Sequence, residues 1–339
     1  MGKSMLTIIC DTPGTLSAIE REKPKPGPGE ALLRIRRIGV CGTDLHIFTG
    51  NQPYLSYPRV MGHELAATVE EAPPGSHLAI GDTVSVIPYI SCGHCNACLK
   101  GRSNCCRNIG VLGVHRDGGM TEYLCVPAEF LVKAEGLSLD QAAMVEFLAI
   151  GAHAVARART RVGETVLIAG AGPIGLAVAV FAKMEGASVT LIDGRKDRLD
   201  FARQHLGITS TVLLGEGDVE ELSTITQGNF FDAVFDATGN PKAIERGFGF
   251  VAHAGTYVLV SIVASHISFS DPEFHKRETT LLGSRNATLA DFEHVMDAMR
   301  AGHVPDALIT HRMALSEVPQ KFAGLTDPTA GVVKAMVEV

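Results

Sequence analysis

Thr165-Val166-Leu167-Ile168-Ala169-Gly170-Ala171-Gly172-Pro173-Ile174-Gly175 passes from an apolar run directly into closely spaced glycines. The run suits a buried strand, residues 173–185 suit a helix, and residues 188–192 form a second apolar strand that ends at Asp193. That sequence is a βαβ unit. Alone, G-x-G-x-x-G is a weak signal; the preceding strand, the following helix and the acid closing the next strand give it meaning. Gly170, Gly172 and Gly175 permit a tight turn, approach of a pyrophosphate to the helix N-terminus at Pro173 and Ile174, and close helix–strand packing. Asp193 is expected to accept hydrogen bonds from adenosine ribose hydroxyls and to repel a 2′-phosphate, which favours NAD over NADP. Arg195, Lys196 and Arg198 follow it, and either soften that discrimination or form a solvated helix start. Further strands at 233–236 and 256–262, with helical segments between, extend a parallel, doubly wound sheet.

The part before this unit has a different character. Residues 31–40 alternate apolar and basic side chains, as a half-exposed strand does, and follow a Pro/Gly-rich turn at 23–29. Short strands fit 66–71 and 83–88, so the first 130 residues read as mostly β. At 339 residues the chain exceeds what one core organises, and two domains are expected. Apolar residues at 46% and charged ones at 20% are an ordinary globular balance. A formal net charge of -7, with basic residues scattered, argues against nucleic acid and for a small-molecule partner. The start is too short in apolar residues for a signal peptide, and Leu6 occupies the place where a myristoylation signal has Ser or Thr. No run reads as a membrane span, so a cytoplasmic location is expected. In that compartment 8 cysteines point to metal or chemistry rather than disulfides.

Two groups of ligand-type residues stand out. Cys41-Gly42-Thr43-Asp44-Leu45-His46 and Gly62-His63-Glu64 supply the thiolate, imidazole and carboxylate that hold a catalytic zinc with one open position. Thr43 has a hydroxyl two residues past Cys41, placed to begin a proton relay, and His46 is the next carrier because imidazole titrates near neutrality. Their plainer alternatives are a turn hydroxyl and a loop histidine. Cys92, Cys95, Cys98 and Cys106 form Cys-x2-Cys-x2-Cys-x7-Cys, a set that suits a closed, structural tetrahedral zinc, with an iron–sulfur cluster as the rival. Cys105 is an alternative fourth ligand; Cys10 and Cys125 read as packed thiols, and His94 as a surface residue.

In this order, Gly62-His63-Glu64, the cysteine lobe, the 170–175 loop and Asp236-Ala237-Thr238-Gly239 make the chain resemble the zinc-dependent medium-chain alcohol and polyol dehydrogenases along essentially its whole length. A finer likeness, to dehydrogenases acting at carbon 5 of L-galactonate or L-gulonate, lies in Gly50-Asn51-Gln52-Pro53 and in residues 86–89, 113–119, 269–275 and 283–288. The resemblance implies an α/β protein, with a GroES-like β-barrel catalytic domain and a Rossmann doubly wound sheet. Its parts would be residues 1–149 with a zinc lobe at about 90–108, an NAD-binding domain at 150–284, and a return to the catalytic domain at 285–339. Two zinc ions per chain, one catalytic and one structural, and a homodimer or homotetramer are also implied. Glu146 becomes a zinc ligand, direct or through water, with Phe147 where the family often has Pro. Thr238 joins the cofactor residues, and Arg285 and His115 become candidates for gripping the substrate. The expected reaction is reversible hydride transfer between a secondary alcohol of a sugar acid and NAD, with the metal as Lewis acid. A polyol such as sorbitol or xylitol, or L-threonine, is the alternative substrate. A zinc-ribbon-like binding module is the alternative outside enzymes.

Overall fold

The computed structural model describes residues 4–52 and 55–339; the readings placed on Met1, Gly2 and Pro53 lie outside the described residues. The chain divides into two compact units, Met1–Phe147 with Thr288–Gly302 and Asp306–Val339, and Leu148–Ala287 with His303–Pro305.

In the first unit a hairpin of Ser4–Thr12 and Thr15–Glu22 accompanies a 7-stranded sheet. Along it run Ile309–Ala314, Lys334–Glu338, Glu30–Val40, Glu64–Glu71, Thr83–Val86 and Leu131–Lys133, with Tyr123–Pro127 also paired to Glu30–Val40. Glu30–Val40 pairs with three strands and is more buried than its apolar–basic alternation suggests. Register shifts between Leu32 and Leu33 and between Ile35 and Arg37 interrupt the period of two, and such bulges re-aim side chains. The same strand sets the geometry used below. Gly39 lies opposite Glu64 on one side and opposite Met336 on the other. A Cβ added to Gly39 would fall 2.0 Å from Glu64 Oε2, so this position must be glycine for the Glu64 carboxylate to lie where it does.

A charge network fastens the C-terminal strands to this sheet. Asp140, at the start of helix Leu139–Ala158, accepts from Arg37 Nε at 2.9 Å and from Arg312 Nη2 at 2.5 Å, and Arg312 Nη1 reaches Glu338 at 3.1 Å. That helix was not anticipated. It reaches the length of a membrane span with mean hydropathy 1.2, contrary to the sequence reading that no run does, but 72% of its apolar window is buried in the fold.

The second unit is built on six parallel strands in the order Ser210–Leu213, Ser188–Asp193, Thr165–Ala169, Phe231–Asp236, Val251–Leu259, Thr280–Gly283. Numbered within the unit this is 3-2-1-4-5-6, the doubly wound order in which ligands bind beyond the strand C-termini, where the order reverses. Helix Pro173–Met184 has Pro in its first turn and buries Leu176, Val178 and Phe181. Val251–Leu259 begins before the expected strand and stops short of Ile262. Leu167, Val234, Phe231, Ile244 and Tyr257 pack one core beside the sheet.

Arg312 and Arg37 hold the Asp140 carboxyl below its usual range, against the opposing effect of burial. A carboxylate with a depressed folded pKa adds stability above its unfolded value, about 3.9, and loses it as pH falls through the folded value. Asp140→Asn is therefore expected to cost about 1 kcal/mol in urea unfolding at pH 7, with the difference from wild type shrinking below about pH 4. A difference that is constant from pH 7 to pH 3 would contradict this.

Candidate active site

Cys41 directly follows the central strand and stands at the N-terminus of helix Gly42–Phe48. Asp44 on that helix is fully buried; its Oδ2 accepts the Cys41 N–H at 2.9 Å and its Oδ1 the Gly62 N–H at 3.1 Å. One carboxylate thus ties together the two segments that carry the ligand-type residues. Gly62 has φ +92°, a left-handed conformation that few other residues adopt, and it turns the chain into His63 and Glu64.

Ligand atoms of Cys41, His63 and Glu64 all lie within 4.8 Å of one another. Glu146 lies outside this trio. Its Oε1 accepts the Tyr89 hydroxyl, and its Oε2 is buried with no hydrogen-bond partner, as is His63 Nδ1. Burial pushes Glu146 up to about 7, with Glu64 adding to the rise and His63 opposing it. Burial disfavours charge on His63, yet Cys41, Asp44 and Glu146 raise its pKa well above the ordinary value. A buried pocket that draws positive charge this strongly, with orphaned donor atoms and a thiol–imidazole–carboxylate set, fits a zinc ion.

Lys334 is the residue the sequence reading missed. Its Nζ lies 2.6 and 2.7 Å from the two Glu64 oxygens and 3.2 Å from the Val40 carbonyl, and it is 1% exposed. Burial works against its charge, but Glu64 and Cys41 outweigh that and its pKa is raised. Phe147, where the family often has Pro, places its ring 4.3 Å from the same ammonium, a cation–π contact. Glu64 is therefore shared between the trio and Lys334. The clue was a lone lysine in Val332-Val333-Lys334-Ala335-Met336-Val337, since a lysine in a buried strand requires a paired carboxylate. Tyr89 carried no comparable signal.

Thr43 is half-buried and His46 exposed, three residues apart on the same helix, a spacing that puts them on one face. In the cysteine lobe, Cys95 and Cys98 sulfurs are 3.5 Å apart, Cys92 and Cys106 3.5 Å, and Cys95 and Cys106 4.0 Å. Tetrahedral ligands at Zn–S of about 2.3 Å would be about 3.8 Å apart, so the spacing suits one ion rather than several irons. Cys106, not the exposed Cys105, completes the set. Backbone N–H donors bring Cys95 down to about 6, and desolvation pushes Cys98 up to about 11. His94 is exposed and contacts the Cys92 carbonyl. Burial pushes Cys10 and Cys125 up to about 11, which leaves them as unreactive thiols.

In the second unit Gly170 has φ +97°, and a Cβ on Gly175 would lie 1.8 Å from the Gly170 carbonyl oxygen, so the loop closes on itself. Asp193 Oδ2 accepts the Ala171 N–H and Oδ1 the Arg195 N–H, each at 2.7 Å. Arg198 Nη1 stands 4.0 Å from Asp193 and 3.7 Å from the place a Gly172 Cβ would occupy. Thr238 donates its hydroxyl to buried Asp236 at 2.9 Å, which shapes the loop after that strand. Arg285 is exposed just past strand Thr280–Gly283. His115, in the first unit, is exposed and accepts the Val111 N–H at 3.2 Å.

Comparison with known proteins agrees with these features. The family described as Alcohol dehydrogenase GroES-like domain matches residues 27–136, and that described as Zinc-binding dehydrogenase matches 173–301. The chain is 42% identical over 321 residues, 94% of each chain, to L-galactonate-5-dehydrogenase of Escherichia coli (strain K12). Among solved structures it is similar to an alcohol dehydrogenase from E. coli CFT073 complexed with NADH, with TM-score 0.93 and 30% identity over 100% of both chains. A zinc-binding dehydrogenase from Sinorhizobium meliloti 1021 bound to NADP gives TM-score 0.92 and 29% identity over 99% of this chain and 100% of that one.

The Lys334–Glu64 pair yields a stability test. Lys334→Met leaves a buried carboxylate without its partner and is expected to cost about 3–5 kcal/mol in denaturant unfolding. Adding Glu64→Gln to that variant should recover much of the loss; equal destabilisation of the single and double variants would show that the ion pair is not what Lys334 supplies.

Proposed function

The chain belongs to the zinc-binding medium-chain alcohol dehydrogenases, and on that premise we propose that it oxidises a secondary alcohol of a sugar acid, L-galactonate or L-gulonate at carbon 5, with NAD. The observation that carries the reaction class is the trio of half-buried Cys41 and buried His63 and Glu64, with Glu146 Oε2 and His63 Nδ1 buried and without a hydrogen bond. What supports the substrate is the likeness to L-galactonate-5-dehydrogenase along 94% of the chain.

In this reading Cys41 and His63 hold the catalytic zinc, with Glu64 and Glu146 as exchangeable carboxylates. Zinc bound there supplies Lewis-acid polarisation of the substrate hydroxyl. Thr43 Oγ1 accepts the hydroxyl proton as its own passes on toward His46, which, exposed on the same helix, releases one proton to water. Lys334 keeps the Glu64 carboxylate oriented, and Tyr89 does the same for Glu146. Cys92, Cys95, Cys98 and Cys106 hold a second zinc that braces their loop. Asp193, Arg198 and the 170–175 loop receive the dinucleotide, with Thr238 shaping the neighbouring turn. Arg285 and His115 engage the hydroxyls or carboxylate of the substrate. Assembly as a homodimer or homotetramer is supported by the exposed strand Thr280–Gly283, which among the described residues is an edge of its sheet and can continue the pairing into a second copy.

A substrate panel at fixed pH tests the choice. L-galactonate or L-gulonate is expected to reduce NAD with kcat/KM at least about tenfold above sorbitol, xylitol or L-threonine, the discrimination given by one charged hydrogen-bonded group. Turnover of sorbitol or threonine with none of either hexonate would move the assignment to a polyol or amino-acid substrate.

A further inference from the structure

We propose that Asp197 is a specificity-determining residue for the dinucleotide, because it holds the Arg195 guanidinium away from the 2′ position of the adenosine ribose. The inference rests on the reading of the 170–175 loop and Asp193 as the nucleotide site. Similar proteins have been solved with NADH and with NADP, so the fold itself leaves the choice open and local side chains must make it.

Asp193 stands at the end of its strand, where a ribose-recognising acid belongs, and its Oδ1 accepts the Arg195 N–H at 2.7 Å. That bond fixes the Arg195 backbone next to the acid to which the nucleotide reading assigns the ribose hydroxyls, and so, on that reading, beside a 2′-phosphate. A guanidinium there is the group best suited to grip a phosphate, since its planar fork makes two parallel hydrogen bonds. In this chain one edge of that fork is already engaged: Arg195 Nε lies 3.1 Å from Asp197 Oδ1, and Nη2 lies 2.5 Å from Asp197 Oδ2. The other cations of the segment also face carboxylates, each through a single contact. Lys196 reaches Asp200 at 2.6 Å, Arg203 reaches Asp200 at 2.7 Å, and Arg198 faces Asp193 at 4.0 Å. Each cation of the run that follows Asp193 thus faces a carboxylate in the fold, with Lys196 and Arg203 sharing Asp200.

Asp193 and Asp197 then act in different ways. Asp193 repels a 2′-phosphate directly, whereas Asp197 occupies the cation that would otherwise welcome it. The Asp197 side chain is 56% exposed, so truncating it should leave the fold intact, and the effect should be that of one exposed charge-assisted pair.

The test is titration of NADH and NADPH against the full-length, zinc-loaded enzyme, followed by nicotinamide fluorescence at low salt. Wild type should bind NADH more tightly than NADPH. Asp197→Ala should tighten NADPH about fivefold while NADH stays within about twofold, which also reports that the site is intact. Adding Arg195→Ala should abolish the gain. An unchanged NADPH-to-NADH ratio in Asp197→Ala, or a gain that survives loss of Arg195, overturns the proposal. Tighter binding of NADPH than NADH by wild type is a separate result, which would overturn the reading of Asp193 on which the proposal stands.

Discussion

The ion pair between Lys334 and Glu64 is the constraint on which the first unit's chemistry depends. Two charges at 2.6 Å, both all but sealed from water, persist only because each answers the other. The pair requires the last strand, Lys334–Glu338, to lie beside Glu30–Val40, and requires Gly39 between them to lack a side chain. It fixes Glu64 next to Cys41 and His63, so a residue 270 positions away in sequence helps to orient the carboxylate of the trio. Phe147 adds a cation–π contact to the same ammonium.

The second unit solves a different problem with backbone rather than charge. Its parallel strands leave N–H groups and glycine turns at their C-terminal ends, and the self-closing contact between Gly175 and the Gly170 carbonyl makes a loop on which a pyrophosphate can rest. Side chains enter only at the edge of that loop, as Asp193 and the paired charges that follow it.

Much of this was legible in the sequence because the signals are local. Cys-x2-Cys-x2-Cys-x7-Cys, Gly62-His63-Glu64 and the 170–175 loop each sit within a few residues; the four cysteines converge in the fold, His63 and Glu64 meet Cys41, and the loop forms a tight turn. What escaped was set by long-range pairing. Lys334 and Tyr89 acquire meaning only when strand order brings them to Glu64 and Glu146, and spacing carries no information on that. Helix Leu139–Ala158 escaped because its apolar residues run round the whole surface, so no amphipathic stripe announced it. The central strand was misjudged as half-exposed because bulges, invisible to a period-two pattern, rotate part of it inward.

The division of labour between an open, catalytic metal centre at Cys41 and a closed, structural one in the cysteine lobe is the central claim. Elemental analysis of zinc in purified wild type and in Cys41→Ser tests it most directly. The account predicts about two zinc ions per chain in wild type and about one in the variant, with the cysteine lobe still loaded. One zinc in both proteins, or two retained without the Cys41 thiolate, would contradict it.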